Sequence, residues 1–204
     1  MNKIVKDTFA ITLITLVAGL ALGVVQDITA YPIAEQKLLA KQKACEAVFE
    51  KAENFGEIDL GDKATELQEY LNENGYTAQS IDDVMGALNE DGQEIGYIFT
   101  VTSSEGYGGD IQFTMGVQSD GTLNGISILS ISETAGLGMK ADTEDFKSQF
   151  EDKKAERFSY TKSGAQAEDE INAISGATIT TNAMTNGVNA GLCAFEFMEG
   201  GMEG

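Results

Sequence analysis

Residues 174–182 read Ile174-Ser175-Gly176-Ala177-Thr178-Ile179-Thr180-Thr181-Asn182, and the rest of the chain is organised around them. A strand-like apolar residue leads into a turn of small and hydroxyl-bearing residues, and a helical pattern follows. Small side chains let a ligand approach the backbone. The unpaired N–H groups of a helix start, with the positive end of its dipole, favour an anion such as phosphate. Plain helix capping is a second reading of the same residues, because Ser and Thr are routine N-caps. On these nine residues alone capping is the commoner of the two.

The helix that follows is expected from near Thr180 to about Met198, with Met184, Val188, Leu192 and Phe195 as its apolar stripe. Ala183, Gly187 and Gly191 line a narrow adjacent face suited to lie close to a sheet, and the final EGGMEG should fray. Upstream, runs with strand character cover 83–88, 95–103, 110–117 and 123–130; the first of them could also be helical. Asp91-Gly92 and Asp120-Gly121 are hairpin signals. Residues 62–74 read as a helix stopped by Asn74-Gly75, 143–150 as a short helix, 158–161 as another strand and 164–169 as a polar loop. Spacing does not imply a disulfide between Cys45 and Cys193, and Cys193 reads as a small core residue.

The N-terminal part is different in kind. From Thr8 to Gln26 there is no charged residue. At about 1.5 Å per residue this helix would span roughly 28 Å, close to a hydrocarbon core. Lys3 and Lys6 precede it, which places the N-terminus in the cytoplasm and the remainder outside. A cleaved signal peptide is the rival. The apolar run is long for one, and Ala30, with Ile28 two positions back, is a poor cleavage site, so an uncleaved anchor is preferred. Gly19 and Gly23 give a G-x-x-x-G face on which a partner helix could pack, although glycines are common in membrane helices. Thr8, Thr12 and Thr15 can bond back to their own helix. Pro32 and Ile33 then open a helical stalk with Leu38, Leu39, Cys45, Val48 and Phe49 as apolar members.

Thirteen basic and 33 acidic residues give a net charge of −20. Residues 1–32 sum to zero, so the entire imbalance lies in 33–204. Such an acidic body disfavours nucleic-acid binding. The absence of His, with only two Cys, excludes a four-ligand Cys/His zinc site and Ser-His-Asp or Cys-His catalysis from this chain alone. No side chain is assigned as catalytic and no metal site is expected.

Two more glycine-rich stretches accompany the opening one: Gly106-Tyr107-Gly108-Gly109-Asp110 before a strand and Glu133-Thr134-Ala135-Gly136-Leu137-Gly138 after one. Together with S-G-A-T-x-T they resemble the G subunits of the Rnf complex, members of the FMN-binding domain family, to which the C subunit of the sodium-translocating NADH:quinone reductase is closely related. The resemblance runs from anchor and stalk through all three motifs. It implies FMN joined through its phosphate to the hydroxyl of Thr178 as a phosphoester, a bond made by a separate flavin transferase. Ser175, Gly176, Ala177 and Thr181 would then surround the phosphate. Glu133, Thr134, Gly136, Leu137 and Gly138 would form the other flavin-side loop, with Leu137 and Met139 over the isoalloxazine and Lys140 as a cation nearby or a solvated side chain. Two positions depart from the family pattern: Asn172 stands where the family has an Asp read by the transferase, and Ala135 replaces a Pro.

The resulting expectation is an α+β chain: a single transmembrane helix and stalk helix, then one extracytoplasmic FMN-binding domain with a mostly antiparallel sheet and flanking helices. The divisions are 1–32 N-terminus and anchor, 33–54 stalk, 55–198 FMN-binding domain and 199–204 flexible tail. By resemblance, the function is electron relay within the Rnf complex, which couples ferredoxin oxidation and NAD reduction to sodium or proton translocation, with its other membrane and peripheral subunits as partners. Alternatives are the C subunit of the quinone reductase and a cofactor-free extracytoplasmic binding or scaffold domain.

Overall fold

The computed structural model describes residues 3–200. The chain forms two compact units, Met1–Ala40 and Lys41–Gly204. Helix α1, Lys3–Val48, makes up the first, and its closing turns belong to the second.

In the first unit the apolar side chains lie open: Phe9, Ile14, Leu20 and Leu22 are each more than half exposed. This is one helix long and apolar enough to cross a bilayer. The hydroxyls of Thr8, Thr12 and Thr15 donate to the carbonyls of Ile4, Thr8 and Ile11 at 2.9, 2.9 and 3.1 Å, as expected of polar groups in an apolar helix. The helix passes through Pro32, where the sequence suggested that a separate stalk opens. Proline removes one N–H and crowds the preceding turn. The flanking Thr29–Tyr31 and Ile33–Lys37 remain helical around it.

The second unit is built on a five-stranded antiparallel meander in the order β1-β2-β3-β4-β5, formed by Asn54–Glu57, Gln79–Leu88, Glu94–Ser103, Ile111–Gln118 and Leu123–Ser130. Alternation along β4 sends Phe113 and Met115 to one face and Gly116 to the other. On the first face lies the last helix, α4, Thr178–Gly200. A Cβ on Gly187 would stand 2.8 Å from the Phe113 ring, and one on Gly191 2.0 Å from Met115 Sδ. The close approach of helix to sheet therefore depends on these two positions having no side chain, as the narrow Ala183/Gly187/Gly191 face implied. Helix α2, Lys63–Glu73, flanks α4, burying Leu67 and Leu71 and stacking Tyr70 5.6 Å from Phe197. Phe99, Phe113, Met115 and Val188 are fully buried here, each contributing about 1.5–3 kcal/mol.

The opposite face carries a smaller cluster in which Cys45, Val48 and Phe49 pack on Ala87 and Ile98. Gly116 makes room for it, since a Cβ there would lie 2.4 Å from the Val48 carbonyl oxygen. That oxygen accepts 3.0 Å from Asn124 Nδ2, which satisfies one orphan carbonyl of the helix end. Lys41 Nζ stands 2.8 Å from Asp83 Oδ2. The end of the expected stalk is thus part of the domain core.

Several elements differ from expectation. The helix stops at Val48, and β1 already occupies residues expected at the stalk's end and beyond. Strand β2 is extended, not helical, and starts at Gln79. The short helix is split into α3, Glu144–Lys147, and a 3-10 turn at Ser148–Phe150, after a further 3-10 segment at Gly138–Asp142. Strand β6, Ser159–Thr161, pairs in parallel with β7, Glu170–Asn172, the one parallel pair among the described residues. Strand β6 falls within the run expected at 158–161, whereas β7 and β1, of three and four residues, had no apolar alternation to mark them. Glu199 and Gly200 still belong to α4, and the remaining tail, 201–204, lies outside the described residues. Both cysteines are free and buried in separate clusters, Cys193 in the main core.

Candidate functional site

The start of α4 has an unusual capping arrangement. Ala177 occupies the cap position: its carbonyl accepts from Thr181 N–H at 3.0 Å, but its side chain has no oxygen to offer. The hydroxyl of Thr181 does not serve the helix N–H groups either. It accepts from Ile174 N–H at 3.0 Å, donates to the Ala177 carbonyl at 2.9 Å, and is fully buried. The N–H groups of Thr178, Ile179 and Thr180 have no intrahelical acceptor, because the helix begins at Thr178. Among the described residues no side chain accepts from them either. Ser175, Gly176 and Thr178 are all exposed beside them, with Gly176 in the left-handed region at φ +78°. Free donors, a helix dipole and an exposed hydroxyl therefore converge at one place.

The other two glycine-rich loops are tied to this turn by Glu133. Its Oε1 accepts from the N–H groups of Tyr107 at 2.7 Å and Gly108 at 3.3 Å. A Cβ on Gly138 would lie 2.6 Å from both Glu133 Oε2 and Thr180 Oγ1, so that glycine sits between the carboxylate and the first turn of α4. Leu137 Cδ2 lies 3.0 Å from where a Gly176 Cβ would be. On the other side of the Gly106–Gly109 loop, Glu105 Oε2 accepts from Asn186 Nδ2 at 2.7 Å, Gln79 Nε2 at 2.9 Å and Asn182 Nδ2 at 3.5 Å. Positions 178, 182 and 186 share one side of a helix, so Glu105 lies along the same face of α4 that starts at Thr178. Both carboxylates receive only uncharged donors.

Outside α1, three large apolar side chains among the described residues are exposed: Tyr107 at 72%, Ile179 at 52% and Leu137 at 42%. One comes from each of the three loops. Each of the three loops, tied together through Glu133 and Gly138, therefore presents one large apolar side chain to solvent. Thr134 and Lys140 are exposed beside it, and Met139 is half-buried.

The structure thus brings Thr178, Ser175, Gly176, Leu137, Gly136 and Thr134 to the surface of one region, with Ala177 and Gly138 buried just beneath. It does not bring Thr181 there, because burial and two hydrogen bonds consume its hydroxyl. Glu133 points to backbone N–H groups and not outward, so it organises the loops instead of lining the surface. Asn172 is exposed in β7, and its Oδ1 accepts from Ala165 N–H at 2.8 Å. Ile179 was missed by sequence reasoning, although it lies off the Met184/Val188/Leu192 stripe and so had no core role assigned. Tyr107 was quoted within its motif without a role, and Glu105 carried no signal.

Residues 106–192 match the model of the FMN-binding domain family, a span that opens on the Tyr107 loop and includes the start of α4. Over 187 residues the chain is 31% identical to the G subunit of the Na+-translocating ferredoxin:NAD+ oxidoreductase complex of Acetobacterium woodii, covering 90% of this chain and 87% of that one. It is 29% identical to the G subunit of the proton-translocating ferredoxin:NAD+ oxidoreductase complex of Clostridium ljungdahlii, covering 92% and 89%. Its fold is similar to that of the C subunit of the Na+-translocating NADH-quinone reductase from Parabacteroides distasonis, with a TM-score of 0.55 and 18% identity over 79% of this chain and 93% of that one.

Proposed function

Starting from the fact that the chain belongs to the family of G subunits of ion-translocating ferredoxin:NAD+ oxidoreductase complexes, we propose that it is a membrane-anchored flavoprotein holding FMN as a phosphoester on Thr178 and relaying electrons within such a complex. The observation that carries this reading is the pairing of an uncapped helix start with the exposed Tyr107, Leu137 and Ile179. A ligand with a phosphate at one end and an apolar ring system at the other fits both. Bound FMN supplies the redox chemistry; the chain supplies its position and electrostatic surroundings.

Each residue then has a task. Thr178 offers the hydroxyl that is esterified, exposed at the first position of α4. The N–H groups of Thr178, Ile179 and Thr180 offset the phosphate charge, and the small Ser175 and Gly176 leave it room. Leu137, with Met139, covers the apolar ring, and Thr134 is placed to bond a polar edge. Thr181 and Glu133 hold the turn and the loops in place. Lys3 and Lys6 before the apolar helix support an N-terminus in the cytoplasm and a flavin domain outside, where a covalent link prevents loss of the cofactor. The other subunits of the complex and a flavin transferase are the implied partners. Sodium or proton translocation belongs to the whole assembly.

The alternative of a quinone-reductase C subunit has the shared fold in its favour, but fold likeness at 18% identity is outweighed by about 30% identity to G subunits over nine-tenths of the chain. A cofactor-free scaffold would leave both the uncapped helix start and the apolar trio without a use. The test is direct. Full-length protein made in a host with the transferase should fluoresce under ultraviolet light after denaturing electrophoresis, and its mass should exceed the chain mass by one FMN less one water. Thr178→Ala should lose both signals. An unmodified wild-type mass from such a host would refute the covalent reading.

A further inference from the structure

Strand β7 is finished on one side by a side chain in place of a strand. Its two-stranded sheet gives it a single strand neighbour, β6. On that inner side Asp169 O accepts from Ser159 N–H at 2.9 Å, and Thr161 O accepts from Ala173 N–H at 2.8 Å. On the outer side the N–H and C=O of Asn172 both meet the amide of Gln149, which accepts at 2.6 Å through Oε1 and donates at 3.5 Å through Nε2. One glutamine thus imitates the peptide group of a neighbouring strand. Sheet edges bind extended segments through such main-chain groups, and covering them is one way of blunting them. Beside Gln149 opens a cleft of about 390 Å³, lined among others by Lys153, Ala165, Gln166 and Asn172. Side chains of β7 hold its far wall: Asn172 Oδ1 accepts from Ala165 N–H at 2.8 Å and Glu170 Oε2 from Gln166 N–H at 3.0 Å.

We propose that the outer edge of β7 is where the flavin transferase takes hold of the chain, adding an extended segment to the strand in place of the Gln149 amide. This rests on the Thr178 reading above and supplies the surface that the modifying enzyme uses. Two observations favour that enzyme over another partner. The first is reach. Thr178 lies six positions after Asn172, so its hydroxyl is within about 22 Å of the edge even along a fully extended path. That path is held in place: Ala173 N–H bonds to Thr161 O, Ile174 N–H to Thr181 Oγ1 and Ala177 N–H to Ile174 O. A partner gripping Asn172 therefore has the acceptor hydroxyl at a set distance. The second is charge. The transferase brings an anionic flavin phosphate to a chain of net charge −20. Residues 140–162, which supply Gln149 and Lys153, hold six basic and six acidic residues, so the whole imbalance lies elsewhere. The approach of an anion is opposed least on this side of β7.

The rate of flavin attachment to the full chain in detergent, with purified transferase limiting, tests this. Gln149→Ala removes what the incoming segment has to displace, so it should lower the KM of the transferase for the chain several-fold with kcat little changed. Gln149→Asn, whose amide is one methylene too short to reach Asn172, should do the same. A cover that only stabilises the fold predicts a lower Tm and attachment that is no faster. A photoreactive residue in place of Gln166, in the cleft, should crosslink the chain to the transferase, and one in place of Glu90, in the β2–β3 turn, should not. An unchanged or raised KM in both Gln149 variants would overturn the proposal and leave the covalent-FMN reading intact. If neither variant folds, the crosslink decides: transferase captured from position 166 supports the edge, whereas no product, or another subunit of the complex in its place, overturns it. A wild-type chain that takes up no flavin would overturn both readings.

Discussion

Replacing Gly116 by Ala tests whether residues 41–49 are core or tether. The new Cβ would lie 2.4 Å from the Val48 carbonyl oxygen and 3.1 Å from Phe49 Cδ2. The first of these atoms is backbone and cannot rotate away. Overpacking of this kind costs about 1–3 kcal/mol. Replacing a glycine in a strand returns about 0.5–1 kcal/mol of backbone entropy. The strained helix end also weakens the 3.0 Å bond from Asn124 to that carbonyl, worth about 1 kcal/mol. Complete release of Val48 and Phe49 would forfeit about 1.5–3 kcal/mol for each side chain, so strain is tolerated in preference to undocking. The net loss is about 2 kcal/mol, or a fall in Tm of about 4–8 °C for a domain of this size. Thermal unfolding of the full chain in detergent, followed by near-ultraviolet circular dichroism, measures it. Gly56→Ala is the matched control, because its Cβ would meet nothing nearer than Leu88 Cδ1 at 3.8 Å. Adding Phe49→Ala to Gly116→Ala should cost less than the sum of the single changes, since both act on one contact. A Gly116→Ala protein within about 0.5 kcal/mol of wild type, or a Gly56→Ala protein equally destabilised, would refute the reasoning.

Removing the carboxylate in Glu133→Ala frees the Tyr107 and Gly108 N–H groups, costs about 2 kcal/mol and should accelerate amide hydrogen exchange at those two positions. Glu133→Gln, which keeps an acceptor oxygen, should restore most of the protection. Asn172→Asp should leave the fold within about 0.5 kcal/mol, because an Asp oxygen can accept from Ala165 N–H as Asn172 does at 2.8 Å. It should raise the flavinylated fraction read by in-gel fluorescence per chain. Burial pushes the Cys193 thiol up to about 11, above its usual value of 9.0. An acid whose folded pKa is raised ionises first in the unfolded chain, so this group removes stability as pH rises from about 9 towards 11. The alkaline fall in Tm over that window should shrink in Cys193→Ala.

Legibility in the sequence followed the length of the signal. The hairpin pair β3–β4–β5 was readable because apolar alternation runs over eight to ten residues between glycine turns. Helix α4 was readable to its close-packing face, since small residues at 183, 187 and 191 recur every fourth position. Strands β1 and β7 were not, because Asn54–Glu57 and Glu170–Asn172 hold one large apolar residue each and are defined by their partners, whereas the equally short β6 follows Phe158 in a run that reads as extended. The split of the 143–150 helix is likewise a tertiary effect. Phe146 and Phe150 are both buried and stack edge-on at 5.7 Å, and Phe150 stacks on Phe158 at 5.3 Å.

The site shows the same boundary more sharply. Thr178 and Thr181 are three residues apart, carry the same hydroxyl and fall in the same motif, so sequence assigned both to the phosphate. Folding separates them by one turn of geometry. Thr178 opens the helix on the side of Asn182 and Asn186 and stays exposed, while Thr181 faces the core and spends its hydroxyl on Ile174 and Ala177. The cap position itself is Ala177, whose side chain has no oxygen, so the first turn stays uncapped. A hydroxyl placed instead to accept from the helix N–H groups would compete with a phosphate for the same donors. The buried threonine and the exposed one are therefore complementary parts of one device: Thr181 closes the turn from beneath and leaves the donors around Thr178 free. An equivalent division applies to the acids. Glu133 accepts from the backbone N–H groups of Tyr107 and Gly108, and Glu105, just before that loop, accepts from the side-chain amides of Asn186, Asn182 and Gln79, so two carboxylates in a strongly acidic domain hold the loop to its neighbours.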